Sequence, residues 1–187
     1  MALAFSGRFA AEDLIFGTDL RDLEIAVQDG QATLYAVNGM NGGLSRWQLD
    51  SAGGAPQLAG QQLHGQAGIR TGDFELAAAG GAVRLLQGGT SQSGLTFYQL
   101  QAGGGLGQQQ QQALAGADAG GFGAVAMLEL AAGKSAFYGV GAASGRLQGW
   151  RLNGQGDVQA QAGTAGSSGA YSLEPGAVLA TVQAAGG

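Results

Sequence analysis

The sequence predicts an all-β chain of repeated four-stranded antiparallel units, and two observations carry that expectation. The first is an internal repeat. Leu44-Ser-Arg-Trp47-Gln-Leu49 returns as Leu95-Thr-Phe-Tyr98-Gln-Leu100 and again as Leu147-Gln-Gly-Trp150-Arg-Leu152, at offsets of 51 and 52 residues. The same offsets align Leu34-Tyr35 with Leu85-Leu86 and Phe137-Tyr138, Gly30 with Gly81 and Gly133, and Ile25 with Leu76 and Leu128. The second observation is the period inside each repeat, which is two. Trp47/Leu49, Tyr98/Leu100 and Trp150/Leu152 alternate with polar or variable residues, and Leu23, Ile25 and Val27 alternate with Asp22, Glu24 and Ala26. Alternation of that kind marks strands with one buried face.

Glycine-rich segments separate the runs: Asp29-Gly30, Asn38 to Gly43 and Ala52-Gly53-Gly54. Gly and Asn tolerate the positive φ that tight hairpins demand. The first repeat therefore divides into strands at 22–28, 32–38, 43–49 and 56–63. A four-stranded antiparallel unit recurring at this spacing is the signature of a β-propeller blade.

The elements follow in order. Residues 1–20 supply an outer strand of a closing blade, from Phe5 to Ile15, and a linker. Residues 21–71 form the first blade, 72–123 the second and 124–170 the third. Residues 171–187 begin a further blade, with Ala177–Val182 as its inner strand. About three and a half blades are present, an incomplete ring. The expectation is that the chain is the N-terminal piece of a longer polypeptide, ahead of a ring assembled from several copies.

Composition fits this architecture and excludes several function classes. Of 187 residues, 38 are Gly and 35 Ala. Small residues suit inner strands that converge on an axis, while Trp47, Tyr98 and Trp150 fill the wider space between blades. The absence of Cys excludes disulfides, thiolate metal sites and cysteine nucleophiles. A single histidine, His64, excludes a His-rich metal site within the chain. Eight Lys and Arg, spread singly, give no basic patch, so no nucleic-acid partner is expected. No apolar run reaches the ~20 residues of a membrane helix, so no membrane span is expected. The N-terminus shows no signal-peptide core.

One resemblance can be named. Leu34-Tyr-Ala-Val-Asn38 followed by Gly43-Leu-Ser-Arg-Trp-Gln-Leu-Asp-Ser-Ala-Gly-Gly54 resembles the blade motif of lactonase-like seven-bladed propellers, and similar repeats occur in alphaproteobacterial hemolysin-type, calcium-binding proteins. The resemblance covers about 165 residues at the level of single blades. It implies a propeller, with lactone hydrolysis and calcium as the associated activity and cation. The turns here are Gly/Ala-rich where the motif carries Asp.

Candidate sites are few. Asp22-Leu-Glu24 and Asp73-Phe-Glu75 repeat at 51, which places Asp22 and Asp73 at equivalent points of adjacent inner strands, near one mouth of the channel. Two carboxylates there would hold a hard cation such as Ca2+ through oxygen. The competing reading has them accept backbone N–H groups at the strand starts. The third repeat has Ala124 or Val125 at that place. Glu12, Asp13, Asp19, Asp22, Glu24 and Asp29 concentrate six of the thirteen acids in eighteen residues, a cation or docking surface or a solvated edge. His64 would need a carboxylate and a nucleophile such as Ser51 or Ser6 to act as a general base. Gly103-Gly-Gly-Leu-Gly-Gln108 lacks the helix that a phosphate loop requires. The run Gln108–Gln112 extends an outer strand and offers an edge to a partner chain.

With so few acid–base groups, the sequence favours a non-catalytic scaffold or recognition module of an extracellular or virion-like assembly, of adhesin, tail-fibre or spike type. Its expected partners are proteins, the remainder of its own longer chain, or a cell-surface glycan. The alternative is a lactonase-like hydrolase with a cation site at the central channel.

Overall fold

The computed structural model describes residues 13–38, 43–63, 74–79, 82–87, 94–114, 116–117, 122–130, 134–141, 143–153 and 158–164. The first sheet consists of β1 (Leu20–Gln28), β2 (Gln31–Asn38), β3 (Gly43–Leu49) and β4 (Gln57–Leu63). The second consists of β5 (Phe74–Ala79), β6 (Ala82–Gln87), β7 (Gly94–Leu100) and β8 (Leu106–Ala113). The third consists of β9 (Phe122–Leu130), β10 (Lys134–Gly141), β11 (Leu147–Leu152) and β12 (Val158–Thr164). Each sheet is antiparallel, with its strands side by side in chain order. The backbones of successive sheets approach most closely at their first strands, β1 with β5 and β5 with β9. That arrangement puts them innermost. The fold is all-β, three blades of an incomplete propeller.

The first hairpin shows how local sequence sets register. Asp29 and Gly30 both have positive φ, +50° and +77°. Gln28 pairs with Gln31 across them. This is the two-residue turn whose twist matches that of the flanking strands, and it calls for Asn or Asp followed by Gly. The strands found in the first sheet begin and end within two residues of the segments expected from the sequence.

Two cores lie between successive sheets. Ala26, Tyr35, Val37 and Leu44 on the rear face of the first sheet pack against Phe74, Leu85, Tyr98 and Leu100 on the front face of the second. Leu95, Phe97 and Leu114 on the rear of the second pack against Val125, Met127, Phe137, Trp150 and Leu152 on the front of the third. Phe122 joins that second core. Its ring meets Phe137 and Trp150 edge-on, at centroid distances of 5.5 and 5.4 Å, a geometry that aromatic quadrupoles favour. Gly139 leaves room for it, since a Cβ there would collide with the Phe122 ring.

Three expectations need correction. Leu14 and Ile15 fall in a short helical turn, α1 (Leu14–Gly17), and not in a strand running to Ile15. Asp13 closes that turn by accepting the Ile15 N–H at 2.9 Å. Residues 1–12 and the segment Ala177–Val182 lie outside the described residues. Next, Leu23, Ile25 and Val27 alternate as the sequence suggests, yet they are exposed, while Ala26 between them is buried. They occupy the front face of the first sheet, where α1 packs only at the Gly43 end. Finally, the third repeat slips by one residue along its first strand. Leu85 pairs with Leu76, but Phe137 pairs with Met127 and not with Leu128. Met127 therefore faces the core and Leu128 points rearward, because neighbouring residues on a strand take opposite faces.

Candidate functional site

The innermost strands bring two carboxylates to the joints between blades. The pairing of β1 with β2 shifts register between Leu20 and Asp22. Such an irregularity re-aims a side chain at a strand end. The Asp22 carboxylate then accepts two backbone N–H groups at 2.8 Å, from Leu23 on Oδ1 and from Phe74 on Oδ2. The second bond crosses to the first strand of the next blade. Glu75 repeats the crossing one blade further on, its Oε1 accepting the Met127 N–H at 3.3 Å. Both carboxylates are half-buried.

Their electrostatics couple. Burial pushes the Glu75 carboxyl above its ordinary value of 4.5. The hydrogen bond from Met127 works against that rise, and the negative charge of Asp22 adds to it. Glu75 therefore keeps its proton more readily than an ordinary carboxyl.

Other sequence candidates resolve differently. Asp73, His64 and Ser6 lie outside the described residues. Ser51 lies exposed in the turn after β3. The acidic stretch disperses: Asp13 caps α1, Asp19 pairs with Arg21 at 2.8 Å, and Asp29 sits in the first hairpin turn. Gly103 and Gly104 form a tight turn (Ala102–Gly104), whose Gly104 carbonyl accepts the Tyr35 hydroxyl at 2.8 Å. That bond ties the first blade to the second. Gln108–Gln112 lie in β8, the outermost strand of the second sheet. Tyr98 and Trp150 are buried, whereas Trp47 is half-buried with its indole N–H donated to Ser45 Oγ.

Among the described residues, no three His, Cys, Asp or Glu side chains come together. Of the two expected cation ligands, only Asp22 falls among the described residues. Glu75 is the residue the sequence reading passed over. It belongs to the same repeated Asp-Xaa-Glu element as Asp73, but only the fold reveals that it reaches the next blade.

No family model matches the chain, and no curated protein matches it significantly by sequence. Among solved structures, the chain is similar to the endo-arabinase from Bacteroides thetaiotaomicron VPI-5482, with a TM-score of 0.59 at 16% identity. The match covers 86% of this chain and 66% of that one, so the chain spans about two thirds of the length of that enzyme. The likeness shows the propeller-like fold and gives no support to the lactonase-like type in particular. It also corrects the expectation of a non-catalytic scaffold of adhesin, tail-fibre or spike type, since the matching structure is that of an enzyme.

Proposed function

We propose that this chain contributes to a hydrolytic propeller that cleaves a glycosidic bond, with its acid–base pair on the innermost strands. The observation that carries this reading is that two half-buried carboxylates, Asp22 and Glu75, sit at successive joints of the innermost strands, accepting the Phe74 and Met127 N–H groups. Glycoside hydrolysis needs one carboxyl to protonate the leaving oxygen and a second to activate water or to attack the sugar. In this assignment the raised carboxyl of Glu75 gives its proton to the leaving group. The Asp22 carboxylate, oriented by the Leu23 and Phe74 N–H groups, acts at the sugar carbon. The similarity to an endo-arabinase fold makes a furanoside polymer the first substrate to try.

The experiment is a turnover assay on arabinan and aryl furanosides with the chain, Glu75→Gln and Asp22→Asn. Both variants keep a side-chain oxygen to accept the inter-blade N–H, so the blades stay tied. The expected loss is about 100-fold or more for each, the usual contribution of a positioned acid or base. Equal activity in the variants, or no turnover by the folded chain, overturns the reading.

A second reading, lactone hydrolysis assisted by a divalent cation, rests on the Asp-Xaa-Glu repeat that sets Asp22 and Asp73 at matching positions. Turnover of a lactone that needs added Ca2+ and is lost in Asp73→Asn, with none on furanosides, would favour it.

A further inference from the structure

Each sheet ends in an outermost strand, β4, β8 or β12, and among the described residues these strands are paired on one side only. Such an edge presents N–H and C=O groups to any strand that arrives, and proteins blunt it with charge, proline or a bulge. None of the three strands carries a charged residue or a proline. What separates them is regularity. The pairing of β3 with β4 shifts register between Arg46 and Trp47, and the Arg46 guanidinium donates to the Ala59 carbonyl there at 3.3 Å. The pairing of β11 with β12 shifts twice, between Gly149 and Trp150 and between Arg151 and Leu152. In β8 the shift falls toward the Leu106 end, and Gln109–Ala113 pair with Gly94–Tyr98 without a break. Of the three edges, that of β8 is the most regular.

The same stretch is uniform in chemistry. Gln108, Gln109, Gln110 and Gln111 are all exposed. Strand alternation sends Gln110 and Gln112 to one face of the sheet and Gln109 and Gln111 to the other. A glutamine amide has two N–H donors and one carbonyl acceptor, so it is its own complement. Two antiparallel copies of this run set Gln against Gln on both faces, with no charge to repel. Stacked glutamines of this kind reinforce the backbone ladder between identical strands. The run itself therefore favours a second copy of β8 over an unlike strand.

We propose that β8 pairs antiparallel with β8 of a second copy of this chain, about a two-fold axis near Gln110. The joint merges two four-stranded blades into one continuous sheet. Such an interface is isologous and closes at the dimer. It lies at the opposite edge of the second sheet from β5, so the carboxylates of the innermost strands take no part in it.

Sedimentation velocity over a range of concentrations tests this, and the expected result is a concentration-dependent dimer. Gln110→Lys and Gln110→Glu should each weaken it by about 10-fold or more, because like charges then meet across the axis. Circular dichroism establishes that both variants are folded, as exposed substitutions on an outer strand allow. An equimolar mixture of the two regains association, since Lys then faces Glu. The chain has no cysteine, so Gln110→Cys under mild oxidation should give a disulfide-linked dimer, whereas Gln61→Cys, exposed on β4, should not. A chain that stays monomeric at every concentration overturns the proposal, as does equal cross-linking at the two positions. So does a dimer that survives Gln110→Lys and is lost in Ile25→Glu, which would place the joint on the exposed apolar face of the first sheet.

Discussion

The front faces of the first and third sheets carry the same pattern of residues and live in different surroundings. Trp47 and Trp150 occupy corresponding places on the third strands of their sheets. Trp150 is fully buried among Phe122, Phe137 and Met127, while Trp47 is half-buried on an open face. The difference is not written in either tryptophan. It comes from the blade in front, which the third sheet has and the described part of the first sheet lacks. Burial removes apolar surface from water at about 25 cal/mol per Å², so the same residue type contributes very different amounts to stability at the two places. A repeat protein is stabilised by its joints as much as by its units.

The largest effect should come from breaking that comparison directly. Trp150→Ala is expected to cost about 3–5 kcal/mol, the range for removing a large buried aromatic. Trp47→Ala should cost about 1 kcal/mol or less in the monomer, as for a partly exposed position. Urea unfolding of both variants at a concentration where the chain is monomeric measures the gap. Equal losses would mean that the front of the first sheet is covered after all.

The rear faces offer a smaller contrast. Tyr35 donates its hydroxyl to the Gly104 carbonyl, and burial pushes that hydroxyl up to about 12, with the nearby Arg46 charge working against the rise. Tyr35→Phe leaves the carbonyl without its partner and should cost about 1–2 kcal/mol. Tyr138→Phe, at the matching place in β10, where the side chain is only half-buried, should change stability by less than about 0.5 kcal/mol. The shift in urea midpoint for the two variants reads this out.

The smallest effect concerns the joint of the innermost strands, and it depends on pH. Glu75 holds its proton more tightly folded than unfolded. Below its ordinary value of 4.5 it is protonated in both states. As the pH rises from there through the raised value, the folded state must ionise a half-buried carboxyl beside Asp22, and stability falls. Glu75→Gln removes that contribution, so the variant should lose less stability than the parent between pH 4.5 and neutrality. Urea midpoints across that range decide it, and parallel curves would show that Glu75 is well solvated.

Much of the fold is legible in the sequence because propeller blades are built from local signals. Asp29-Gly30 dictates its hairpin, the 51-residue period sets the blades, and strand alternation fixes which residues share a face. What alternation cannot specify is which face is covered, as Leu23, Ile25 and Val27 show. Nor could the repeat reveal the one-residue slip that turns Met127 inward in place of Leu128. Both residues are apolar and either would fit the period.

The site divides along the same line. The sequence by itself determined the Asp-Xaa-Glu repeat and so the presence of acids on inner strands. Only the tertiary structure decided that Asp22 and Glu75 each reach across to the next blade. The reason is physical: a strand fixes its own neighbours through backbone hydrogen bonds a few residues apart, whereas these bonds span 52 residues and exist only once the blades have packed.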